Sequence, residues 1–226
     1  REWLRLLTLA ALNIGFFQAL LFIAAYRLPG GMAAVIGAIQ PLLIMAMAWL
    51  WDKRQPAHSA IYASLFAIAG MAALLLSSKT GIDPVGIAAA LAGSLCMAAG
   101  TYLSRHWKTD LPILAFTGWQ LFIGGLILLP IALIADDPLP QLSQTQILAY
   151  VYLSIVGALL AYALWFRGIA RLSPVAVSSL GLLSPITAVI LGWILLGQTM
   201  QGLSLLGLFI VLASVVTVQK SMRSRI

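Results

Sequence analysis

The sequence predicts an all-α membrane protein whose antiparallel transmembrane helices form an inverted-topology repeat. Three observations support this prediction: composition, the length of the apolar segments, and an internal repeat. Of the 226 residues, 62% are hydrophobic and 8% are charged, and the mean hydropathy is +1.03. A soluble domain is about 45 to 50% apolar and about 25% charged. This composition therefore excludes a water-soluble globule, and also a disordered, collagenous or disulfide-stapled protein.

Eight stretches of the chain are long and apolar enough to cross a bilayer, which takes about 20 residues of helix. They cover approximately residues 5–25, 31–51, 58–76, 84–103, 112–135, 146–166, 174–196 and 200–219. The stretches are continuously apolar and rich in Ala, Leu and Gly, whereas barrel strands alternate and are about ten residues long. Because the connecting loops are short, successive helices are expected to run antiparallel.

Basic residues are distributed unevenly between the two sides of the predicted membrane. Of the 13 Lys and Arg residues, Arg27 and Lys79 fall on one side and the remaining 11 on the other. The positive-inside rule then predicts that both ends of this multi-pass chain lie in the cytoplasm. The basic residues lie at helix ends, where anionic lipid headgroups are found, which argues for a lipid partner and against a nucleic-acid partner.

An internal repeat appears when the sequence is compared with itself at an offset of 144 residues. Without a gap, Arg27–Pro41 superposes on Arg171–Pro185, and Gly37 meets Gly181. Helices one to three thus correspond to helices six to eight, five crossings later, and an odd number of crossings inverts the second copy. Inverted-topology repeats are typical of secondary transporters, whose substrate site lies near the bilayer midplane between the repeats.

The repeat also predicts how the chain is divided. Residues 1–79 would be the last three helices of a first copy, and residues 80–226 a complete five-helix second copy. On the same offset we expect two further helices ahead of residue 1, in a parent protein of ten helices.

The segment LNIGFFQALLFIAAYRLPGGMAAVIGAIQPLL and its counterpart ALLAYALWFRGIARLSPVAVSSLGLLSPITAVILGWILLG resemble the two copies of an EamA-type transporter of the drug/metabolite transporter superfamily. The resemblance covers essentially the whole chain. It implies a ten-helix inner-membrane carrier with a central cavity, commonly an exporter of amino acids or related metabolites. Many relatives carry Glu before the midplane proline and again after the following helix. This chain has Gln40 and Ser184, then Asp52 and Gln198, at those positions.

Two prolines predict paired kinks near the middles of helices two and seven. Pro41 and Pro185 have no N–H to donate, so the carbonyls of Gly37 and Gly181, four residues earlier, lose their partners. Free backbone acceptors at membrane depth are tolerated where protein, water or a cavity meets them. The four residues are therefore predicted to form a kink or hinge on a substrate pathway. The alternative is a stripe of small residues that serves close helix packing.

Polar side chains near the midplane are the candidates for substrate binding: Asn13, Gln40, Ser94, Tyr152 and Ser184. Amides are costly to expose to lipid, so Asn13 and Gln40 are expected to face the protein interior. Each could contact substrate or bridge two helices. The serines could instead bond their own helix, and Tyr152 could pack rather than stack on a substrate.

Charged groups and His are absent from the central third of every predicted span. Neutral hydrogen-bonding groups suit a neutral or zwitterionic metabolite. Together with the resemblance, they predict a carrier that exports such solutes, amino acids among them, by alternating access. His58 and His106 lie in separate loops without a paired Glu or Cys, so no catalytic residue, metal site or cofactor is predicted. The alternatives are a carrier for drugs or other metabolites and a membrane scaffold. An intramembrane enzyme is disfavoured, and the oligomeric state is left open.

Overall fold

The computed structural model describes residues 2–28, 30–75, 83–107, 109–135, 142–196 and 202–223. All regular structure in these residues is helical, as predicted. The helices are α1 (Glu2–Arg27), α2 (Gly30–Gly37), α3 (Gln40–Asp52), α4 (His58–Leu75), α5 (Pro84–His106), α6 (Ile113–Ala135), α7 (Gln144–Arg171), α8 (Pro174–Gly181), α9 (Leu183–Leu196) and α10 (Gly202–Arg223). Lys79, Gln198 and the predicted division at residues 79 and 80 lie outside the described residues.

The eight predicted crossings correspond to eight helical stretches in the described residues, because α2 with α3 and α8 with α9 are halves of interrupted helices. Five of the stretches are long and apolar enough to span a membrane by length and composition. They are Glu2–Arg27, Met32–Asp52, Pro84–His106, Ile113–Ile134 and Gln144–Arg171. Shorter apolar helices at His58–Leu74 and Leu205–Ser221 accompany them.

The 144-residue repeat extends to irregularities of the helix backbone. In α1 a π-helical segment covers Ala11–Gly15, and in α7 another covers Leu153–Leu160. Adding 144 to the first gives residues 155–159, which fall inside the second. Such π segments are rare and occur frequently at functional sites. The two copies therefore share a local distortion as well as a pattern of residue types.

The two interrupted helices also break at corresponding positions. Adding 144 to the bounds of α2, residues 30–37, gives 174–181, the bounds of α8. Tighter turns close each break: Ile39 N–H donates to the Ile36 carbonyl at 3.2 Å, and Leu182 N–H donates to the Ser179 carbonyl at 3.3 Å. Each break precedes a proline that cannot donate to the turn before it, so the interruption follows from the sequence.

Helices α4 and α10, which are counterparts in the repeat, pack against each other along their lengths. Gly70 and Gly207 allow the close approach: a Cβ atom on Gly207 would lie 2.5 Å from the Gly70 carbonyl oxygen and 2.6 Å from the Leu74 backbone nitrogen. Met71 and Val211 are fully buried beside them. In a membrane, helix association depends on this kind of contact between small residues, because lipid tails are as apolar as the side chains.

Helix α5 lies against α1, α3 and α8, and more than half of its apolar segment is buried inside the protein. Asp83 caps its first turn by accepting the N–H groups of Val85 at 2.8 Å and Gly86 at 3.0 Å. The bond from Gly86 is the largest of the effects that hold the pKa of the Asp83 carboxyl below its usual value, with smaller contributions from Val85 and Arg27 and some opposition from burial. Arg27, at the end of α1, pairs with the same carboxylate at 3.5 Å.

Candidate functional site

Asn13 lies in the π segment of α1 and is completely buried. Its Nδ2 atom donates to Gln120 Oε1 of α6 at 2.9 Å and to Ser104 Oγ of α5 at 3.2 Å. A Cβ atom on Gly100 would collide with Asn13 Oδ1, so the glycine makes room for the amide. Asn13 Oδ1 and Gln120 Nε2 are buried without a hydrogen-bond partner within the described chain. Asn13, Gln120 and Ser104 thus join three helices. Asn13 Oδ1 remains an unused acceptor, and Gln120 Nε2 an unused donor.

Gln18 and Tyr162 form a hydrogen bond between the two copies of the repeat, with Gln18 Nε2 donating to Tyr162 Oη at 3.3 Å. Their separation in sequence is 144 residues, so each is the other's repeat counterpart. Residues related by a twofold axis touch their own counterparts only where they lie at that axis. The bond is therefore what a pseudo-twofold axis through this contact would produce, and in an inverted repeat such an axis runs in the membrane plane. Comparing only the polar residues at an offset of 144 identifies this pair from the sequence.

The other substrate-binding candidates occupy different surroundings. Ser94 is buried in α5, and Gln40 is half-buried at the first residue of α3. Tyr152 is 62% exposed on α7, and Ser184 is exposed on α9. No hydrogen bond joins any two of the five candidates among the described residues. Their role in substrate binding stays a prediction.

The kink candidates differ between the copies in what lies beside them. A Cβ atom on Gly37 would meet nothing within 4 Å, whereas one on Gly181 would lie 3.7 Å from the ring of Trp165. Pro41 is buried, and the side chain of Pro185 lies outside the described residues. The indole N–H of Trp165 is buried and has no acceptor within the part of the chain that the structure describes. A hinge function for Gly37, Pro41, Gly181 and Pro185 stays a prediction.

A cavity of about 1250 Å³ opens at the end of the bundle where α3 and α5 end and α7 gives way to α8. Its walls carry Arg54, Arg105 and Arg171 together with one carboxylate, Asp52. None of the predicted site residues that the structure describes lines it. We call it the rim cavity.

One side of the rim cavity is an aromatic and acidic cluster. His106 Nε2 lies 3.4 Å from Asp52 Oδ1, and Tyr102 stacks on His106 with the ring centroids 5.2 Å apart. Trp51 stacks on Tyr102, with the ring centroids 5.6 Å apart. These contacts join the end of α3 to the end of α5.

The sequence profile of the EamA-like transporter family matches residues 1–76 and 84–219. The chain belongs to this family. The predicted fold class, an inverted repeat of antiparallel transmembrane helices, is thereby confirmed, and so is the assignment of the protein as a transporter rather than an enzyme. It is a multi-pass membrane protein that moves a small molecule.

Similar proteins are found in bacteria and plants. Protein PecM of Dickeya dadantii (strain 3937) is 40% identical over 221 residues, which cover 96% of this chain and 74% of PecM. The WAT1-related chloroplastic protein of Arabidopsis thaliana is 31% identical, and the match covers 94% of this chain and 54% of that protein. A probable amino-acid metabolite efflux pump of Salmonella typhimurium is 27% identical, with 89% of this chain and 72% of the pump covered.

A solved crystal structure has the same fold. Its TM-score is 0.78 at 20% sequence identity, and the match covers 96% of this chain and 77% of that one. At this identity the likeness concerns the fold alone.

Among the bacterial relatives are inner membrane transporters of Salmonella typhimurium and Escherichia coli.

Proposed function

We propose that this protein exports small neutral or zwitterionic metabolites, amino acids among them, by alternating access across the bacterial inner membrane. The observation that carries the proposal is the Gln18–Tyr162 hydrogen bond between repeat counterparts. In inverted-repeat transporters the substrate lies at the interface of the repeats, near the midplane. The bond supports the proposal because it joins two neutral polar side chains, one from each copy.

The buried polar groups of α1, α6 and α7 favour a solute that carries both a donor and an acceptor. Trp165, which lies one turn from Tyr162 on α7, has a buried indole N–H without an acceptor in the described chain. The unused Asn13 Oδ1 and Gln120 Nε2 atoms supply an acceptor and a donor. Buried polar atoms without partners are uncommon and call for an explanation. A zwitterion can pair its ammonium group with the free acceptor and its carboxylate with the free donors. No charged side chain is needed for this match.

The five substrate-binding candidates belong to this proposal: Asn13, Gln40, Ser94, Tyr152 and Ser184. Asn13 is completely buried here, so a solute would reach it in a second state of the transport cycle. The helix breaks at Gly37 and Gly181, each followed by its proline, are the places where the two halves of a helix could tilt independently. Residues 1–79 and 80–226 would then move against each other, with both ends of the chain on the cytoplasmic side.

The experiment is efflux of labelled amino acids from proteoliposomes that contain the protein, compared with empty liposomes. We expect efflux of at least one neutral amino acid, and slower efflux for Tyr162→Phe, which removes the hydroxyl that accepts from Gln18. Tyr150→Phe is the matched control, because Tyr150 lies on the same helix and is 53% exposed. Efflux of other metabolites but of no amino acid would mean that amino acids are not the substrates. The absence of all efflux would favour a membrane scaffold.

A further inference from the structure

The rim cavity concentrates positive charge. Arg54, Arg105 and Arg171 line it, and Asp52 is the carboxylate among its lining residues. Asp52 lies against His106. Among the described residues, the ion pairs within 4 Å are Asp52–His106 and Arg27–Asp83, so none of the three guanidinium groups has a carboxylate partner.

The local backbone structure fixes the positions from which the three arginine side chains extend. Lys53 has a left-handed backbone with φ of 55°, which turns the chain sharply at the end of α3. Both Lys53 and Arg54 donate their N–H groups to the Ala48 carbonyl, a common way for a helix to end. Arg105 Nη1 donates to the Ala170 carbonyl in the last turn of α7, so this guanidinium is already engaged. Arg171 is the last residue of that helix.

The first turn of α8 adds to the positive potential. Ser173, Pro174 and Val175 line the rim cavity, and they form the start of this helix. The N-terminus of a helix carries a partial positive charge and attracts anions. Ser173 Oγ accepts the N–H of Ala176 at 3.2 Å, and the Ser173 carbonyl accepts the N–H of Val177 at 3.0 Å. Pro174 has no N–H, so the N–H of Val175 is the donor that this first helical turn leaves unused by the helix itself.

Part of the cavity lining is apolar. Ile44 and Met45 of α3 contribute to it, together with Val175 of α8, and all three belong to one buried core cluster. An occupant that meets both the arginines and these apolar residues has a negatively charged end and a hydrocarbon body.

We propose that the rim cavity binds the carboxylate of a small organic acid, with its apolar part against Ile44 and Met45. The inference rests on the proposed function and narrows it, since it means that the exported solute carries a carboxylate and meets Arg54 and Arg171 before it reaches the axis. An anionic lipid headgroup shares the negative charge, so the experiment must separate a soluble carboxylate from a lipid.

Binding of two fragments of leucine to the purified full chain tests the proposal. Isocaproate is leucine without the ammonium group, and isoamylamine is leucine without the carboxylate. Titration calorimetry of the protein in phosphatidylcholine nanodiscs should detect binding of isocaproate and no binding of isoamylamine. Arg54→Gln and Arg171→Gln should each raise the Kd for isocaproate about threefold to tenfold, a modest effect because these groups are exposed to solvent.

Arg167→Gln is the matched control. Arg167 is exposed on α7, one turn before Arg171, and it is not among the residues that line the cavity. It should leave the Kd for isocaproate unchanged, and Arg171→Lys should retain most of the binding. Equal weakening by Arg167→Gln, or equal binding of the amine, would overturn the inference, because it would mean that surface charge or the apolar wall alone is responsible.

Three further outcomes separate a soluble carboxylate from a lipid, and the cavity proposal from the exporter proposal. If isocaproate fails to bind, while phosphatidylglycerol in the nanodiscs raises the Tm of the unsubstituted protein and not of Arg54→Gln, the cavity is a lipid site and the inference is wrong. Arginine-dependent binding of isocaproate without amino-acid efflux would sustain the cavity and reject the exporter. Efflux that is unaffected by both arginine substitutions, with no binding, would reject the cavity alone.

Discussion

The crossing of α4 and α10 offers a sharp test of how the two copies are held together. Gly207→Ala adds one methyl group at a point where the nearest atoms belong to the opposite backbone, the Gly70 carbonyl oxygen at 2.5 Å and the Leu74 nitrogen at 2.6 Å. Backbone atoms cannot rotate away as the end of a side chain can. The helices must therefore separate, and the buried contacts of Met71 and Val211 weaken with them.

The expected cost follows from this geometry. Forcing an extra methyl group into a packed interface costs about 1 to 3 kcal/mol. Ala is the better helix former by about 1 kcal/mol, which offsets part of that cost. Gly125→Ala on α6 is the matched control, because its Cβ would meet nothing within 4 Å and only the gain in helix propensity applies. The two variants should therefore differ by about 1 to 3 kcal/mol, or about 2 to 12 °C in Tm for a chain of this size.

The assay is thermal unfolding of both purified variants in the same neutral detergent, followed by far-UV circular dichroism. We expect Gly207→Ala to unfold at a lower temperature than Gly125→Ala. Indistinguishable Tm values would refute the reasoning, because they would mean that the close contact between α4 and α10 does not exist in the folded protein.

Three other outcomes can be measured. Gln40→Leu should reduce efflux by about 5- to 150-fold while membrane abundance and Tm change little, because a buried substrate group left without its partner costs about 1 to 3 kcal/mol; parallel losses of efflux and stability would assign Gln40 to helix bridging instead. Asp83→Ala should lower the Tm at pH 7, where the carboxylate accepts from Gly86, and the difference from the unsubstituted protein should vanish as the pH falls below the usual carboxyl value of 3.8 and through the lowered pKa; a difference that persists in acid would contradict the cap. Reporter fusions after Arg54 and Arg171 should read cytoplasmic and one after Asp83 external, and a reversal at any of them would reject the predicted orientation.

The repeat could be read from the sequence in detail because it rests on local signals. Hydropathy identifies apolar stretches without reference to any other part of the chain, and a proline interrupts its own helix wherever it occurs. The correspondence of α2 with α8, at an offset of 144 residues, follows from the residues of those segments alone. The fold class and the transporter assignment were therefore predictable.

Helix partners were decided by the tertiary structure. Asn13 was expected to face inward, and it does, yet its bonds to Gln120 and Ser104 depend on how three helices are rotated about their axes. The π segment around Asn13 changes that rotation for every residue after it, and hydropathy gives no sign of such a segment.

The sequence by itself determined where the helices lie and that they form an inverted repeat. Only the tertiary structure decided that Gln18 meets Tyr162, and that Arg54, Arg105 and Arg171 converge on one cavity. The physical reason is range: hydropathy, prolines and repeats act within a single helix, whereas a contact between residues far apart in the chain depends on how all the intervening helices pack together.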